Sequence, residues 1–474
     1  MKIEQIYTGC LAQGAYYIES NGEAAIIDPL REVDPYINLA RERNAKIKYV
    51  FETHFHADFV SGHVDLAKKT GAQIVYGPTQ MKTGFECTIA SDGQEFQLGN
   101  AKMKLIHTPG HTLESSCYLL TDESGVEIAL FTGDTLFIGD VGRPDLAQHV
   151  IADLTQEKLA VLLYQSLQNK ILPLNDNLII YPAHGAGSAC GKKMSSETSD
   201  TLGNQKRTNY ALRPGLTQEE FVSEVLTGLT PPPFYFPKNV LLNINGYESI
   251  DQIIENGKNG LNAEAFEILA EESKAIIIDT RKASEFAKGY IPNSINIGID
   301  GSFAIWVGTL IKDITQKIIL VCDSGREQEA ITRLARVGYD HTIGFLEGGI
   351  DAWIKAGKST EKIISATAED AAASLQINET FHLLDVRKKS EFDSEHVVDA
   401  INAPLDYIND NMAMIDKSQK YFVHCAAGYR SMIFISLLKS KGFNNLINIE
   451  SGFSEIKRSG RFKLTEYVNP TTLL

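Results

Sequence analysis

Side chains that commonly bind metal ions follow strand-like apolar runs in the first half of the chain. His54, His56 and Asp58 alternate in THFHADFVSGH, directly after the run IKYVF. His111 stands in TPGHT and Asp134 in TGDT, each next to a glycine that permits a tight turn. Two imidazoles and one carboxylate that leave coordination positions open form the facial triad of non-haem iron(II) oxygenases. Residues of these types at several separate strand ends therefore predict a metal site.

A cysteine near the end of the chain indicates a second type of chemistry. Cys425 heads CAAGYRS, between the strand-like run KYFVH and SMIFISLLKSKGF, which has helical periodicity. A loop from Cys425 to Arg430 can curl so that backbone N–H groups point at the sulfur, and the start of the helix adds partial positive charge. Both effects favour the thiolate, which is the nucleophilic form. We therefore expect Cys425 to attack sulfur and then to carry it.

The elements that must position these residues follow an α/β pattern. Apolar runs such as EIALFTGD and NLIIYPAH, the latter ending at His184, alternate with helical stretches such as HVDLAKKTG. Side chains at strand ends share one rim of a sheet, so distant residues can converge there. Single histidines such as His107 and His149 are expected to satisfy local hydrogen bonds. The segment GLTPPPFYFPK holds four prolines, so we expect neither helix nor central strand there and end the first domain at residue 240.

The second half of the chain contains one pattern twice. AIIIDTRKASEFAKGYIPNSINI at 275–297 is similar to FHLLDVRKKSEFDSEHVVDAINA at 381–403, and KIILVCDSG at 317–325 is similar to KYFVHCAAG at 420–428. Asp279 and Asp385 are 106 residues apart, and Cys322 and Cys425 are 103 residues apart. This self-similarity predicts two tandem α/β domains of about 100 residues each.

The two copies differ in their cysteine loops. Asp323 adjoins Cys322, and Glu327 occupies the place that an arginine has in the later loop. Two nearby carboxylates disfavour a thiolate by like-charge repulsion. Arg326 stands one position earlier and is expected to point elsewhere. We therefore predict that Cys425 carries transferable sulfur and that Cys322 does so poorly or not at all.

The metal-binding motifs resemble those of a known superfamily. THFHADFVSGH, TPGHT, TGDTLFIGDVGRPD and YPAHG are similar to the metallo-β-lactamase superfamily, specifically its persulfide dioxygenase branch, over residues 1–240. The resemblance implies an αββα sandwich that binds one Fe(2+) per chain. The iron ligands that it implies are His54, His111 and Asp134. His56 and Asp58 would orient the ligands or a bound water, and Arg143 of GDVGRPD would position an anionic substrate.

One position departs from the hydrolases of this superfamily, which usually read HxHxDH and bind a second metal through the last histidine. Phe59 stands there, and its ring cannot coordinate a metal. His184, another second-site ligand in those hydrolases, is then expected to act structurally or to orient a ligand. This weakens the alternative of a zinc-dependent, glyoxalase II-like thioester hydrolase, which needs two metals. That alternative, with sulfur-carrier domains attached, stays open.

The repeated domains resemble rhodanese sulfurtransferases. CAAGYRS is similar to the active loop CxxGxR(S) of that family, and Asp385 and Arg387 match its supporting DxR motif. The resemblance covers residues 262–360 and 364–474 and implies two rhodanese-like domains, of which the first is degenerate. It implies that Cys425 is the catalytic nucleophile and that Arg430 is the arginine of the catalytic loop.

Composition restricts the partners and the compartment. The chain has 474 residues, with 45 Lys+Arg against 60 Asp+Glu, so its net charge is −15, which disfavours nucleic acid and anionic membranes as partners. No apolar run approaches the roughly 20 residues that span a bilayer, and the N-terminal segment lacks the apolar core of a signal peptide. Six scattered cysteines without a CxxC pair favour free thiols in the cytoplasm.

Together the two resemblances imply a cytoplasmic enzyme of sulfide detoxification. It would oxidise a low-molecular-weight persulfide, of glutathione, coenzyme A or another thiol, with O2 to sulfite and thiol. The rhodanese thiol would either deliver the persulfide or pass sulfur to sulfite to make thiosulfate, and the direction stays open. A further hypothesis treats the rhodanese pair as a sulfur carrier or redox sensor and the first domain as a binding platform. The oligomeric state also stays open, since members of the superfamily often form homo-dimers.

Overall fold

A computed structural model describes residues 1–146, 154–229, 231–377 and 381–469. His149 lies outside these residues. The chain divides into two compact units. The first unit contains Met1–Gln252 and Ala335–Gly338, and the second contains Ile253–Leu334 and Tyr339–Leu474.

The first sheet of the first unit has six strands in the order β1-β2-β3-β4-β5-β6. Its elements are β1 (Lys2–Thr8), β2 (Gln13–Ser20), β3 (Glu23–Ile27), α1 (Asp34–Glu42), β4 (Lys46–Phe51), α2 (His63–Thr70), β5 (Gln73–Tyr76) and β6 (Thr88–Ile89). The pairs β1–β2 and β2–β3 are antiparallel, and the pairs from β3 to β6 are parallel. Helix α1 packs against β4, and α2 packs against β4 and β5.

The second sheet also has six strands, in the order β12-β11-β10-β9-β8-β7. Its elements are β7 (Glu95–Leu98), β8 (Ala101–His107), β9 (Ser116–Thr121), β10 (Glu127–Gly133), α3 (Gln156–Ser166), β11 (Ile179–Pro182), β12 (Asp200–Thr201), α4 (Leu202–Thr208) and α5 (Gln218–Leu226). Only β10 and β11 pair in parallel, and the other neighbours are antiparallel.

Alternate residues of the second sheet pack into two separate cores. Tyr118 and Leu120 of β9 join the core between the two sheets, whereas Cys117 and Leu119 join the core that contains residues of α3 and α5. Successive side chains of a strand point to opposite faces, so one strand can serve both cores. The expected αββα sandwich is therefore confirmed.

The proline-rich segment after α5 leads into two helices, α6 (Phe236–Asn245) and α7 (Ile250–Gly257). The expectation that GLTPPPFYFPK contains no helix is wrong for its last three residues, because α6 begins at Phe236. Pro237 lies in the first turn of α6, where the N–H that proline lacks would have no partner within the helix. The first compact unit extends beyond residue 240, to Gln252.

The second unit contains two five-stranded sheets of identical design. The first copy consists of β13 (Gly260–Leu261), α8 (Ala263–Ser273), β14 (Ile276–Asp279), α9 (Ala283–Lys288), β15 (Ile295–Asn296), α10 (Phe303–Leu310), β16 (Ile318–Val321), α11 (Glu327–Arg336), β17 (Thr342–Leu346) and α12 (Gly349–Lys355). The second copy consists of β18 (Ser365–Ala366), α13 (Ala368–Ile377), β19 (Phe381–Asp385), α14 (Lys389–Ser394), β20 (Ile401–Asn402), α15 (Ile408–Asn411), β21 (Lys420–His424), α16 (Tyr429–Ser440), β22 (Leu446–Ile449) and α17 (Gly452–Ser459).

The two sheets place the cysteines at equivalent positions. The strand orders are β13-β17-β16-β14-β15 and β18-β22-β21-β19-β20, and the neighbouring strands are parallel. Cys322 directly follows β16 and Cys425 directly follows β21, so each lies at the carboxyl edge of its sheet. This shared topology confirms the tandem α/β domains that the repeat predicts. In the part of the chain that the structure describes, every helix is too short or too polar to cross a bilayer.

Candidate functional site

Three strand ends of the first unit bring His54, His111 and Asp134 together. One ligand-type atom of each lies within 4.8 Å of those of the other two, and all three side chains are buried. The Asp134 Oδ2 atom is 3.9 Å from Nε2 of His54 and 3.4 Å from Nε2 of His111. Gly133, the residue before Asp134, lets the end of this strand lie close to Thr53, the residue before His54. Its φ is 52°, and a Cβ at this position would lie 2.6 Å from Thr53.

Each member of this cluster is held by a partner on the side that faces away from the other two. Thr53 donates its hydroxyl to Asp28, so its oxygen accepts a bond from Nδ1 of His54 at 2.9 Å. The Arg143 carbonyl accepts a bond from Nδ1 of His111 at 2.8 Å. With both Nδ1 atoms protonated, each Nε2 keeps a lone pair.

The Asp134 carboxylate is oriented in the same way. His184 donates Nδ1–H to Oδ1 of Asp134 at 2.8 Å, whereas Oδ2 is buried without a hydrogen-bond partner. Burial alone would raise the pKa of Asp134, but the charge and hydrogen bond of His184 lower it below its ordinary value. Burial lowers the pKa of His54 well below its usual range, which keeps the imidazole neutral. Two lone pairs and one orphaned carboxylate oxygen thus converge, and this donor set fits one divalent metal ion.

The expected orienting residues lie beside this cluster in two groups. His184 also contacts Asp58, with 2.9 Å between Nε2 and Oδ2, so Asp58 is linked to Asp134 through one imidazole. The ring of His56 lies against that of His54 at an angle of 52°, with 4.1 Å between the ring centroids. Its Nε2, however, faces two buried carboxylates, Oδ1 of Asp28 at 3.1 Å and Oε2 of Glu52 at 3.5 Å.

Phe59 occupies the place of a second-site histidine. Its ring is fully buried. The centroid of this ring lies 4.3 Å from the ring centroid of His56 and 6.4 Å from that of His184. Both nitrogens of His184 already face carboxylates. The position next to Asp58 therefore presents an apolar ring instead of a ligand.

Two parts of this site were not predicted from the sequence. Cys190 lies with Asp58 and His184, their ligand-type atoms within 4.8 Å of one another, and burial followed by Asp58 and Asp134 raises the pKa of its thiol well above its ordinary value. Asp28 ends a strand-like run and could have been recognised, but no motif marks Cys190.

Arg143 lies beside the cluster, but its guanidinium binds another protein group. Its Nε and Nη2 donate to the two oxygens of Asp145 at 2.9 and 2.6 Å, and both residues are buried. The nearby Asp140 instead accepts bonds from the backbone N–H groups of Lys192 and Lys193. The structure therefore places the side chain of Arg143 in an ion pair with Asp145.

A narrow cavity of about 30 Å³ opens onto His111. Its walls are mostly apolar, and its lining residues are Phe55, Ala57, Met81, His111, Thr112, Leu113, Glu114, Leu146, Val240 and Ile244. His107, in the preceding strand, is 2.8 Å from the Leu113 carbonyl through Nε2, as expected for a structural histidine. A small ligand in this cavity would reach the metal cluster on the His111 side.

In the last domain, the loop after β21 curls around Cys425. The backbone N–H of Gly428 donates to Sγ of Cys425 at 3.1 Å, and helix α16 begins at the next residue. Gly428 has φ 96°, which a side chain would disfavour. Arg430 extends to Glu391 and donates to it at 2.5 and 2.8 Å. The curl predicted for this loop thus brings an N–H group to the sulfur.

The corresponding loop of the first copy surrounds Cys322 differently. Burial, followed by Glu327, Asp279 and Asp323, raises the pKa of the Cys322 thiol to about 12. Arg326 donates to Asp300 at 2.7 Å and to Glu329 at 2.8 Å. At neutral pH, Cys322 is therefore a protonated thiol.

The DxR pairs are the same in both copies. Arg281 donates through Nη2 to Asp279 at 2.6 Å, and Arg387 donates to Asp385 at 2.5 Å. In each pair the aspartate is fully buried and ends a central strand. The motif thus fixes the strand end next to each cysteine loop whether or not that cysteine is reactive.

The fold and its buried histidine–carboxylate cluster define a metal-binding αββα protein joined to two sulfurtransferase-type domains. The family model of the metallo-β-lactamase superfamily matches residues 8–184, and that of the rhodanese-like domain matches residues 262–356 and 367–459. The crystal structure of a metallo-β-lactamase from Staphylococcus aureus is 32% identical, covers 73% of this chain and 98% of its own, and superimposes with a TM-score of 0.64. The chain belongs to the metallo-β-lactamase superfamily and carries two rhodanese-like domains.

Two further similarities are more limited. A hydroxyacylglutathione hydrolase from Citrobacter koseri is 33% identical over 165 residues, which are 35% of this chain, and this chain spans 58% of the length of that curated relative. The crystal structure of ETHE1 from Myxococcus xanthus is 27% identical, covers 51% of this chain and 98% of its own, and has a TM-score of 0.43.

Proposed function

We propose that the chain is an iron-dependent persulfide dioxygenase coupled to a rhodanese sulfurtransferase. The observation that carries the proposal is the cluster of His54, His111 and Asp134, in which three ligand atoms face one another while their other ends are held. His54, His111 and Asp134 would hold a ferrous ion, which would supply the redox chemistry for oxidation of a sulfur anion by dioxygen. Phe59 supports a single metal ion, because it removes a ligand of the second site.

The proposed reaction is R–S–S⁻ + O2 + H2O → R–SH + SO3²⁻ + H⁺. The S–S bond breaks, the terminal sulfur loses four electrons to O2, and the thiol is released. The cavity beside His111 would admit the reacting end of the persulfide, and its mostly apolar walls would contact the carbon chain next to the sulfur. Arg143 would position the anion by exchanging Asp145 for the substrate. The natural substrate is proposed to be glutathione persulfide or the persulfide of a similar small thiol.

Cys425 is proposed to be the sulfur carrier of the second unit. Its thiolate would take sulfur from a persulfide and release the thiol. The resulting Cys425 persulfide would give its outer sulfur to sulfite, so that Cys–S–S⁻ + SO3²⁻ → Cys–S⁻ + S2O3²⁻. The Gly428 N–H at 3.1 Å would stabilise the negative sulfur at each stage. A free thiol with this role is suited to a reducing compartment, so we propose a cytoplasmic location.

A second candidate function is zinc-dependent hydrolysis of glutathione thioesters. It is supported by the 33% identity with the hydroxyacylglutathione hydrolase, which covers part of that enzyme only. It would require a second metal, at a position where Phe59 supplies no ligand.

Measurements on a single protein preparation can distinguish the two functions. Protein purified without oxygen would be analysed for iron and zinc, and then assayed for oxygen uptake with glutathione persulfide and for hydrolysis of a glutathione thioester. We expect one iron per chain, oxygen uptake and sulfite formation. Two zinc ions per chain with thioesterase activity would instead support the hydrolase.

A further inference from the structure

The aromatic residue of the Cys425 loop lies in a slot of the other rhodanese-like domain. Tyr429 donates its hydroxyl to the Gly298 carbonyl at 2.7 Å. A Cβ at Gly301 would lie 2.5 Å from Cζ of Tyr429, and a Cβ at Gly298 would lie 3.2 Å from its Cε2. Neither glycine has a positive φ, so both backbones would accept a side chain if the tyrosine ring were absent. The two glycines therefore leave room for this ring.

A second contact fixes the same helix to the same copy. Ser436, two turns along α16, accepts a bond from the backbone N–H of Asn296 at 3.0 Å. Residues seven apart lie on one face of a helix, so Tyr429 and Ser436 present one face of α16 to the first copy. Asn296 is itself anchored, because its amide donates to the carbonyls of Asp279 and Arg281. Two contacts on one face thus attach α16 to the first copy.

The slot is supported by residues of the unreactive loop and its helix. Arg326, which stands where the second copy has Tyr429, donates to Asp300 at 2.7 Å. Arg333 of α11 donates to the Ile299 carbonyl. Both contacts hold the turn between Gly298 and Gly301. The Cys322 loop and the helix after it therefore support the turn that receives Tyr429 of the Cys425 loop.

We propose that Tyr429 is a positioning residue for sulfur transfer and that the first rhodanese-like domain acts by holding it. Gly428, whose N–H contacts the Cys425 sulfur, is covalently joined to Tyr429. When Tyr429 lies in its slot, this N–H is aimed at the sulfur, and when Tyr429 is expelled the loop loses the anchor next to that N–H. The role in catalysis rests on the proposed sulfur transfer at Cys425, whereas the control of the loop does not.

The test uses the full chain and two kinds of variant. Gly301→Ala places a methyl group against the tyrosine ring, and Tyr429→Phe removes only the hydroxyl. Gly289→Ala is the matched control, because a Cβ there meets nothing within 4 Å and the backbone is extended. Each protein is treated with iodoacetamide over a range of pH, and alkylation of the Cys425 peptide is followed by mass spectrometry. Sulfur transfer from glutathione persulfide to sulfite is measured in parallel.

We expect Gly301→Ala to slow Cys425 alkylation at pH 7 by about tenfold or more. The added methyl group would lie 2.5 Å from Cζ of Tyr429, and such overpacking displaces the ring and the backbone attached to it. Tyr429→Phe should slow alkylation by about threefold, as expected for one lost hydrogen bond. In both variants the pH profile should move to higher pH, and sulfur transfer should fall in proportion. Gly289→Ala should match the unmodified protein.

A double variant tests whether the glycine acts through the tyrosine. In a Tyr429→Ala background, Gly301→Ala should cause no further loss, since the ring with which its methyl group collides is gone. Unchanged alkylation rates and pH profiles in Gly301→Ala and Tyr429→Phe, or additive losses in the double variant, would overturn the proposal. Because alkylation needs no sulfur substrate, a shifted profile without any transferase activity would support the positioning role and reject the proposed sulfur transfer.

Discussion

At the metal cluster, the hydrogen-bond partner of each histidine determines which ring nitrogen keeps the lone pair that can bind a metal. A carbonyl can only accept a hydrogen bond, so the Arg143 carbonyl fixes the proton of His111 on Nδ1. Thr53 performs the same function for His54 because its own proton is donated to Asp28. These partners select one tautomer of each ring before any metal binds, which reduces the cost of forming the site.

The first prediction concerns the ligands themselves. His111→Ala and Asp134→Ala should abolish both iron binding and oxygen uptake, since each removes one of three donors. His341→Ala, a substitution at an exposed histidine, should change neither. Metal content, oxygen-electrode traces and sulfur transfer at Cys425 would be measured for all three variants. Full oxygen uptake in either ligand variant would show that iron is held elsewhere.

The second prediction concerns Arg143, whose pairing with Asp145 gives it a structural role as well. Arg143→Ala should destabilise the first unit by about 3 kcal/mol, because a buried aspartate loses its partner, and should raise KM for persulfide. Differential scanning calorimetry and steady-state kinetics would measure the two effects. The double variant Arg143→Ala/Asp145→Ala separates them, since it should recover stability while KM stays high. A KM that recovers together with stability would reject the substrate role.

Among the structural elements, the two strand-to-helix loops show how one topology gives two cysteines different surroundings. Cys322 follows β16 and Cys425 follows β21, which are equivalent strands of two separate sheets. The surroundings then differ, because an N–H group contacts Cys425 whereas burial and three carboxylates act on Cys322.

The third prediction uses this difference. A raised pKa of about 12 means that the thiolate of Cys322 appears only near that pH, so its alkylation should be negligible at pH 7 to 9 and increase only in strongly alkaline solution. Cys425→Ser should eliminate sulfur transfer while oxygen uptake with free persulfide continues, and Cys322→Ser should reduce neither. Equal losses in both serine variants, or a persulfide trapped on Cys322, would show that the first copy is active.

An element could be predicted where its own residues mark it in the sequence, and not where it depends on contacts between distant segments. The strands that end near His54, His111 and Asp134 have apolar runs of their own, and the tandem copies repeat their motifs at fixed spacing. The start of α6 at Phe236 was missed because proline is excluded from helix interiors but accepted in a first turn. The contact between Tyr429 and Gly301 could not be predicted, since it depends on how two copies pack and neither segment marks the other.

For the whole molecule, the division into two compact units assigns the two proposed activities to different units. The metal cluster lies within Met1–Gln252, and Cys425 lies in the unit that ends the chain. The hydrophobic residues around each site form separate cores. We therefore expect that a change which eliminates one activity leaves the other intact.

The fourth prediction follows from this separation. Removal of iron with a chelator should abolish oxygen uptake, because no other group in the proposed mechanism activates O2. Transfer of sulfur from glutathione persulfide to sulfite should continue at its original rate, since Cys425 needs no metal. Restoring Fe²⁺ should recover oxygen uptake, whereas Zn²⁺ should not. A simultaneous loss of sulfur transfer would show that the two activities share one centre.

The proposed function is tested most directly by the stoichiometry of metal, oxygen and sulfite in one anaerobically purified sample. We predict one iron per chain and, with glutathione persulfide in the oxygen electrode, one sulfite formed for each O2 consumed when sulfur transfer is blocked by Cys425→Ser. Two zinc ions per chain, no oxygen uptake and rapid hydrolysis of a glutathione thioester would contradict it.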